Sequence, residues 1–128
     1  MTERVLDASA LLALLQDEPG AARVAAVLPD AAIGSVNLAE VVGKLVDKGM
    51  PPALVKETLR TLDLDVREFS ENLAYAAGEL RTSTARLGLS LGDRACLALT
   101  QHLGMPVLTA DASWQQFKIE NVEVEMIR

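Results

Sequence analysis

The sequence predicts an α/β fold in which helices flank a mainly parallel sheet. Short apolar runs of strand length alternate along the chain with longer stretches of helical periodicity, and Gly or Pro separates most of these segments. Strands that alternate with helices pair in parallel and are connected by right-handed crossovers. The 128 residues have the length of one domain and show no linker or internal repeat, so we expect a single domain over residues 1–128.

The first half of the chain predicts three strands and four helices. The first apolar run stops at Asp7, and the segment Glu18-Pro-Gly20 ends the helix that follows it. Pro51 and Pro52 begin another helix, because proline is compatible with a first helical turn. The predicted segments are strand 4–7, helix 10–15, helix 21–28, strand 31–34, a helix from 35 that ends at Gly49, helix 53–62 and edge strand 63–67.

The second half predicts a long helix, a capped helix, a short helix and two strands. Ser70 and Asn72 open the long helix, which is broken near Gly88. Ser90 and Asp93 have the spacing of a capping box, in which each side chain satisfies the backbone N–H of the other residue. The predicted segments are helix 73–85, helix 94–103, strand 106–109, short helix 112–117 and strand 122–127.

Four acidic residues lie where apolar runs end or on the inner face of a helix: Asp7, Glu40, Asp93 and Asp111. Asp7 and Asp111 directly follow strands, and ligands of parallel sheets bind beyond the carboxyl ends of the strands. An aspartate after a strand is also a common helix N-cap, which is an alternative explanation for each of the three aspartates. Capping does not explain Glu40, which lies inside a helix beside apolar neighbours. One shared site explains all four.

Converging carboxylates are typical ligands of Mg²⁺ or Mn²⁺, and these ions support the hydrolysis of phosphodiesters. The only histidine, His102, lies near the end of a predicted helix, so RNA cleavage by paired histidines and a histidine-based zinc site are excluded. Without metal, like-charge crowding is expected to raise the pKa of at least one carboxylate, and metal affinity should then fall in acid.

Five polar residues lie close in sequence to these acids. Ser9 and Ser113 each stand two residues after an aspartate, where a hydroxyl either caps the following helix or bonds a carboxylate. Asn37 and Thr109 are candidates to orient ligands, water or a phosphate oxygen beside a metal ion. Arg94 directly follows an aspartate and is a candidate contact for that carboxylate or for substrate phosphate. A solvated surface arginine is the alternative for Arg94.

Composition limits the classes of partner. The chain has 12 Lys and Arg against 18 Asp and Glu, a formal net charge of −6, so a nucleic acid would need metal ions or a local basic patch to bind. Aromatic residues make up 3% of the chain, which disfavours RRM-like and OB-type modules that stack bases. A single cysteine, Cys96, and the absence of a signal peptide or an apolar membrane span lead us to expect a cytoplasmic protein.

Four segments together resemble the PIN-domain ribonucleases, and among these the VapC toxins of bacterial VapBC toxin–antitoxin pairs. Each segment is weak evidence alone, but the four in this order and at these intervals are specific, and the resemblance covers essentially the whole chain. The segments are Val5-Leu-Asp-Ala-Ser-Ala-Leu-Leu-Ala-Leu-Leu15, Ser35-Val-Asn-Leu-Ala-Glu-Val-Val42, Leu89-Ser-Leu-Gly-Asp-Arg-Ala-Cys-Leu-Ala-Leu99 and Val107-Leu-Thr-Ala-Asp-Ala-Ser-Trp114.

The resemblance implies a PIN-like fold with a five-stranded parallel sheet in the order 3-2-1-4-5. It places the four acids at the carboxyl edge of the sheet, where they hold one or two ions. It also implies Mg²⁺- or Mn²⁺-dependent cleavage of RNA, commonly tRNA or structured rRNA, which inhibits translation. Family members commonly carry a basic residue directly after the last aspartate, but this chain has Ala112 there, so no substrate contact is carried over to that position.

Protein partners are implied only by the resemblance. It implies a VapB-like antitoxin whose tail wraps the toxin and blocks the acidic groove, commonly with an arginine near the carboxylates. The Ala-, Leu- and Val-rich helices around residues 10–62 offer apolar surface for such a tail. A homodimer is implied as well, and DNA binding is left to the antitoxin.

Three other interpretations fit less well. A response-regulator receiver needs paired acids near the end of strand one and an aspartate that ends strand three, but Asp7 stands alone and no aspartate closely follows Val66. A haloacid-dehalogenase-type phosphatase needs Asp-x-Asp where this chain has Asp7-Ala-Ser9. A PIN-like scaffold that binds a protein partner without catalysis would be expected to have lost acidic positions, and all four are present.

Overall fold

The computed structural model describes all 128 residues, and it has the α/β architecture that the sequence predicts. No helix in the structure combines the length and the hydropathy of a membrane span. The strands are β1 (Arg4–Leu6), β2 (Ala31–Gly34), β3 (Asp65–Arg67), β4 (Val107–Thr109) and β5 (Val124–Met126). The helices are α1 (Ala8–Leu15), α2 (Ala21–Val27), α3 (Ser35–Asp47), α4 (Pro52–Thr61), α5 (Glu71–Glu79), α6 (Arg81–Thr84) and α7 (Leu91–Leu103).

The five strands form one sheet in the order β3-β2-β1-β4-β5, and every neighbouring pair is parallel. The expected order and the PIN-like fold class are therefore confirmed. Receiver domains have the strand order 2-1-3-4-5, so the topology excludes that alternative. At the centre of the sheet, Leu6 of β1 is in register with Leu108 of β4 and with Ile33 of β2, which places the ends of β1 and β4 side by side.

Alternation along the central strands divides the core between the two faces of the sheet, because successive strand side chains point to opposite faces. Val5 and Val107 pack with residues of α5 and α7 and with Trp114 on one face. Leu6 and Leu108 pack with α1 and α2 on the other. A third cluster joins α1, α3 and α4 around the fully buried Val55. Helices cover both faces, so ligands reach the sheet at its ends.

Several boundaries differ from the sequence prediction. The helix predicted over 73–85 is divided at Leu80, and its second part is the short α6, in which the buried hydroxyl of Thr84 donates to the Leu80 carbonyl at 2.7 Å. Residues 85–87 then form a single 3₁₀ turn that Gly88 ends with a φ of 68°. Strand β2 has the predicted bounds, whereas the other four strands are shorter than predicted. The short helix after β4 is a 3₁₀ helix over Ala112–Gln116.

The start of α7 is the boundary that matters for the site. The predicted capping box forms: Ser90 Oγ accepts from the Asp93 N–H at 3.1 Å, and Asp93 Oδ2 accepts from the Ser90 N–H at 3.0 Å. A helix begins directly after its capping residue, so α7 starts at Leu91 and not at Arg94. Asp93 therefore lies in the first turn of the helix.

Candidate metal centre

The four acidic side chains reach one pocket from four different elements. Asp7 follows β1 and Asp111 follows β4, and the Asp7 N–H donates to the Leu108 carbonyl at 3.1 Å, which continues the pairing of the two strands. Glu40 comes from α3 and Asp93 from the first turn of α7. The pocket has a volume of about 460 Å³ and is lined by Asp7, Ala8, Ser9, Leu12, Gln16, Glu18, Asn37, Glu40, Lys44, Lys48, Asp93, Asp111 and Arg128.

Asp7 is the most buried of the four acids, with 5% of its surface exposed. Its Oδ1 accepts from Ser9 Oγ at 2.7 Å and from the Ala10 N–H at 2.8 Å, so it caps α1. Its Oδ2 accepts from Thr109 Oγ1 at 2.5 Å. The Thr109 hydroxyl also accepts from the Asp111 N–H at 3.0 Å, so one threonine joins the two strand-end aspartates.

Burial raises the pKa of Asp7 from 3.8 to about 6. The hydrogen bonds from Thr109, Ser9 and Ala10 oppose this shift, and the negative charge of Asp93 adds to it. The expectation of a raised carboxylate pKa is met, but desolvation is its main cause and like-charge crowding contributes less. A bound cation would lower the pKa of this buried carboxylate, because the cation stabilises the charged form.

Glu40 is held against the start of α7. Asn37 Nδ2 donates to Glu40 Oε1 at 2.8 Å and to the Gly92 carbonyl at 3.0 Å, and Asn37 is buried. The Glu40 carboxylate lies so close to the Cα of Gly92 that a Cβ there would collide with both carboxylate oxygens. A residue with a side chain at Gly92 would displace the carboxylate, so the glycine leaves the space that brings Glu40 beside Asp93.

The capping role and the shared pocket are compatible for all three aspartates. Asp111 Oδ1 accepts from the N–H of Ser113 at 2.9 Å and from its hydroxyl at 2.7 Å, and Asp93 uses Oδ2 in the capping box. No protein donor bonds the remaining oxygen of Asp93, Asp111 or Glu40. Each of these carboxylates therefore keeps an oxygen for another ligand.

The negative charges of the pocket also act on the buried thiol of Cys96. Burial raises the pKa of Cys96 well above its usual value, and the negative charges of Asp7, Asp93 and Glu40 raise it further. Cys96 lies on the core side of the site, with its Sγ 4.0 Å from the Leu6 carbonyl. Three of the four carboxylates thus act on one buried group, although they come from distant parts of the chain.

The donor chemistry fits a hard divalent cation bound partly through water. No group of three or more His, Cys, Asp or Glu side chains is close enough to enclose a metal ion by itself. Mg²⁺ commonly uses one or two carboxylates and keeps several waters, so a closed protein cage is not required. The pocket offers carboxylate oxygens and no histidine or thiolate, which favours Mg²⁺ or Mn²⁺ over zinc.

The other predicted polar residues divide into two groups. Ser9, Ser113, Thr109 and Asn37 each bond one of the four carboxylates, as described above. Arg94 does not: its Nη1 donates to the Ala77 carbonyl of α5 at 3.1 Å, and the residue does not line the pocket. The side chain is therefore neither the partner of Asp93 nor a solvated surface arginine.

The predicted site residues do not include three cationic residues that line this pocket, Lys44, Lys48 and Arg128, although the sequence places Lys44 on the same face of α3 as Asn37 and Glu40. The two lysines follow Glu40 at intervals of four residues on α3, a spacing that places them on the same helix face and was visible in the sequence. Arg128 follows β5, and only the pairing of that strand with β4 brings it to the site.

Comparison with known proteins gives a family and a fold. Residues 4–120 match the PIN domain family, and no curated protein matches the chain. The DNA-bound VapBC of Salmonella typhimurium superposes with a TM-score of 0.77 at 18% identity over 100% of both chains. VapBC2 of Rickettsia felis, bound to a DNA fragment from its promoter, gives 0.74 at 19% identity over 96% of this chain and 97% of that one.

VapBC-1 of nontypeable Haemophilus influenzae gives a TM-score of 0.73 at 16% identity over 97% of both chains. Identities this low show a shared fold. The family match spans most of the chain and includes all four acidic positions of the pocket. The chain therefore belongs to the PIN-domain family.

Proposed function

We propose that the protein is a Mg²⁺- or Mn²⁺-dependent endoribonuclease, and that it acts as the VapC-type toxin of a toxin–antitoxin pair. The observation that carries the proposal is the convergence of Asp7, Glu40, Asp93 and Asp111 on one pocket at the carboxyl edge of the sheet. Membership of the PIN-domain family and the fold shared with VapBC proteins support it.

The carboxylates would hold one or two divalent ions. Such an ion lowers the pKa of a bound water and neutralises charge that develops on phosphate oxygens. Glu40, Asp93 and Asp111 each have a carboxylate oxygen with no protein donor, and these oxygens would be metal ligands. Asp7 would add a further carboxylate ligand once it is deprotonated. RNA, with tRNA or structured rRNA as the expected target, is the substrate that the toxin resemblance implies.

Hydrogen bonds from neighbouring polar side chains would hold the carboxylates in position for metal binding. Ser9 and Thr109 hold Asp7 through hydrogen bonds that favour its charged form. Asn37 fixes the Glu40 carboxylate in one orientation, and Ser113 does the same for Asp111. Fixed ligands reduce the reorganisation that substrate and ion binding would otherwise require.

An apolar groove on a different face of α3 from the pocket supports the antitoxin proposal. It has a volume of about 560 Å³ and is lined mainly by α3, α4 and β3, with Leu38, Val42, Leu59, Leu64 and Val66 among its residues. We infer that it receives an apolar segment of a VapB-like antitoxin, whose arginine would reach the carboxylates. DNA contact would come through the antitoxin, and the toxin would form a homodimer within the cytoplasm.

The nuclease proposal is tested by RNA cleavage with purified protein. We expect Mg²⁺-dependent cleavage of a tRNA mixture or rRNA, its loss in EDTA, and its loss in Asp7→Asn and Asp111→Asn. Glu79→Gln is the matched control, because this exposed acid at the end of α5 lies outside the pocket. Cleavage that persists in EDTA or in both aspartate variants would contradict the proposal.

The antitoxin proposal needs a separate measurement. Co-expression with a small reading frame adjacent to the gene should give a stable complex that suppresses RNA cleavage. Val66→Lys, at an exposed position of the edge strand β3, should weaken the complex without changing cleavage by the free toxin. An adjacent product that binds equally well to Val66→Lys would show that the groove is not its docking site.

A further inference from the structure

Three cationic side chains line the same pocket as the four carboxylates: Lys44, Lys48 and Arg128. All three residues are exposed, and none takes part in the salt bridges of the structure. The chain as a whole carries a net charge of −6, so its general field opposes a polyanion. These three cations have no salt-bridge partner, and in this pocket they offset part of the negative charge of its carboxylates.

The two lysines form a row with Glu40 on α3. Residues four positions apart on a helix lie on the same face, separated by about 6 Å along the axis. The Asn37 bonds to Glu40 and to the Gly92 carbonyl fix the carboxylate end of the row. Lys44 and Lys48 therefore lead away from the carboxylates at intervals similar to those between successive phosphates of an extended RNA strand.

Arg128 reaches the pocket from the other side of the central strands. Thr109 of β4 is in register with Met126 of β5, so Asp111 and Arg128 each stand two residues beyond a paired position. Arg128 Nη1 donates to the Pro19 carbonyl at 3.0 Å. The preceding Ile127 packs so closely on Gly20 that a Cβ there would collide with it. The guanidinium is thus anchored beside the loop that follows α1.

We propose that Lys44, Lys48 and Arg128 bind phosphates of the RNA strand next to the phosphodiester that the carboxylates receive. The inference rests on the proposed ribonuclease function and identifies residues that position its substrate. Contacts of this kind are made to the backbone, so they set affinity and register with little dependence on base sequence. Glu18 lines the same pocket and opposes an anion there, so neutralising it should have the opposite effect.

The test measures binding of a short, fluorescein-labelled, single-stranded RNA of mixed sequence by anisotropy in Ca²⁺, which uses the same oxygen ligands as Mg²⁺. The double variant Lys44→Ala/Lys48→Ala should weaken RNA binding about tenfold at low salt. It should also make the slope of log K against log salt shallower by about 1.4, because each lost phosphate contact accounts for about 0.7. Arg128→Ala should weaken binding less, and Glu18→Gln should strengthen it.

The matched control is Arg86→Ala/Lys118→Ala, which removes two exposed cations outside the pocket. This control should leave RNA affinity and the salt slope close to those of wild type, although it loses as many positive charges as the Lys44/Lys48 variant. In Mg²⁺, the Lys44/Lys48 variant should show a raised KM with little change in kcat. Its calorimetric Mn²⁺ affinity should not fall, because the lysine charges repel a metal cation in the same pocket.

Equal RNA affinity and salt slope in the pocket and control variants would overturn this proposal alone, provided that wild-type protein cleaves RNA. Loss of antitoxin binding with unchanged RNA affinity would assign the lysines to the protein partner and would also overturn it. A wild-type protein that binds Mn²⁺ but neither binds nor cleaves any RNA would overturn the proposed function itself.

Discussion

The Thr109 hydroxyl donates a hydrogen bond to Asp7 Oδ2 at 2.5 Å and joins the ends of two neighbouring strands, although the residues are 102 positions apart. Thr109 Oγ1 also accepts a hydrogen bond from the Asp111 N–H at 3.0 Å. A single hydroxyl thus sets the position of both strand-end aspartates. Its donor bond favours the charged form of the Asp7 carboxylate and so opposes the rise in pKa that burial causes.

Replacing Thr109 by valine should therefore damage both the fold and the site. The variant keeps the shape of a fully buried side chain but leaves Asp7 Oδ2 and the Asp111 N–H without their partner. We expect a loss of about 1–3 kcal/mol in the free energy of unfolding, and weaker Mn²⁺ binding by calorimetry. The control is Thr100→Val, also fully buried, whose hydroxyl donates to the Cys96 carbonyl of its own helix and bonds none of the four carboxylates. Equal Mn²⁺ affinity in the two variants would contradict the role given to Thr109.

Removing the charge of Asp7 should stabilise the metal-free protein at neutral pH. Folding raises the pKa of Asp7 from 3.8 to about 6, so between these values the folded state binds more protons and stability falls as pH rises. The penalty is complete above pH 6 and absent below the unfolded value of 3.8. Asp7→Asn should gain up to about 3 kcal/mol at pH 7, with the gain fading in acid, as measured by urea unfolding at several pH values. A gain that does not depend on pH would show that the charge is not its source.

Metal binding should have the opposite pH dependence. A divalent ion needs the deprotonated carboxylate, so Mn²⁺ affinity should fall as the pH drops through about 6, the pKa of Asp7, and binding below that pH should release a proton. The increase in Tm on adding Mn²⁺ should accordingly be larger at pH 7 than in mild acid. Calorimetry in two buffers of different ionisation enthalpy would count the protons. A Tm increase of the same size at both pH values would contradict a site that includes Asp7.

The contact between Gly92 and Glu40 can be tested with one methyl group. Gly92→Ala should favour α7 by about 1 kcal/mol through helix propensity, yet its Cβ would collide with the Glu40 carboxylate. We therefore expect a folded protein by circular dichroism with reduced Mn²⁺ affinity and reduced RNA cleavage. Gly78→Ala on α5 is the matched control, because a Cβ at that position meets no atom within 4 Å. If Gly92→Ala binds Mn²⁺ like Gly78→Ala, the placement of Glu40 against α7 has no part in the metal centre.

Local sequence determined much of this protein. Apolar runs and, for β3, polar–apolar alternation predict every strand, and the Ser90 and Asp93 spacing predicts the capping box. Acids at the ends of runs and on the inner face of a helix identify the four carboxylates of the pocket. These features depend on residues a few positions apart, whose preferences are readable without the fold. The Glu40, Lys44 and Lys48 row was equally local, since helix periodicity alone places these residues on one face.

Only the tertiary structure decided which distant elements contact one another and which side chains are buried. Arg94 turns to the Ala77 carbonyl because α5 packs against α7, and Arg128 reaches the pocket because β5 pairs with β4. The pKa of Asp7 depends on burial, which local sequence does not contain. Chemical identity and periodicity are properties of the chain, whereas desolvation and contacts across the sheet arise only when distant segments pack together.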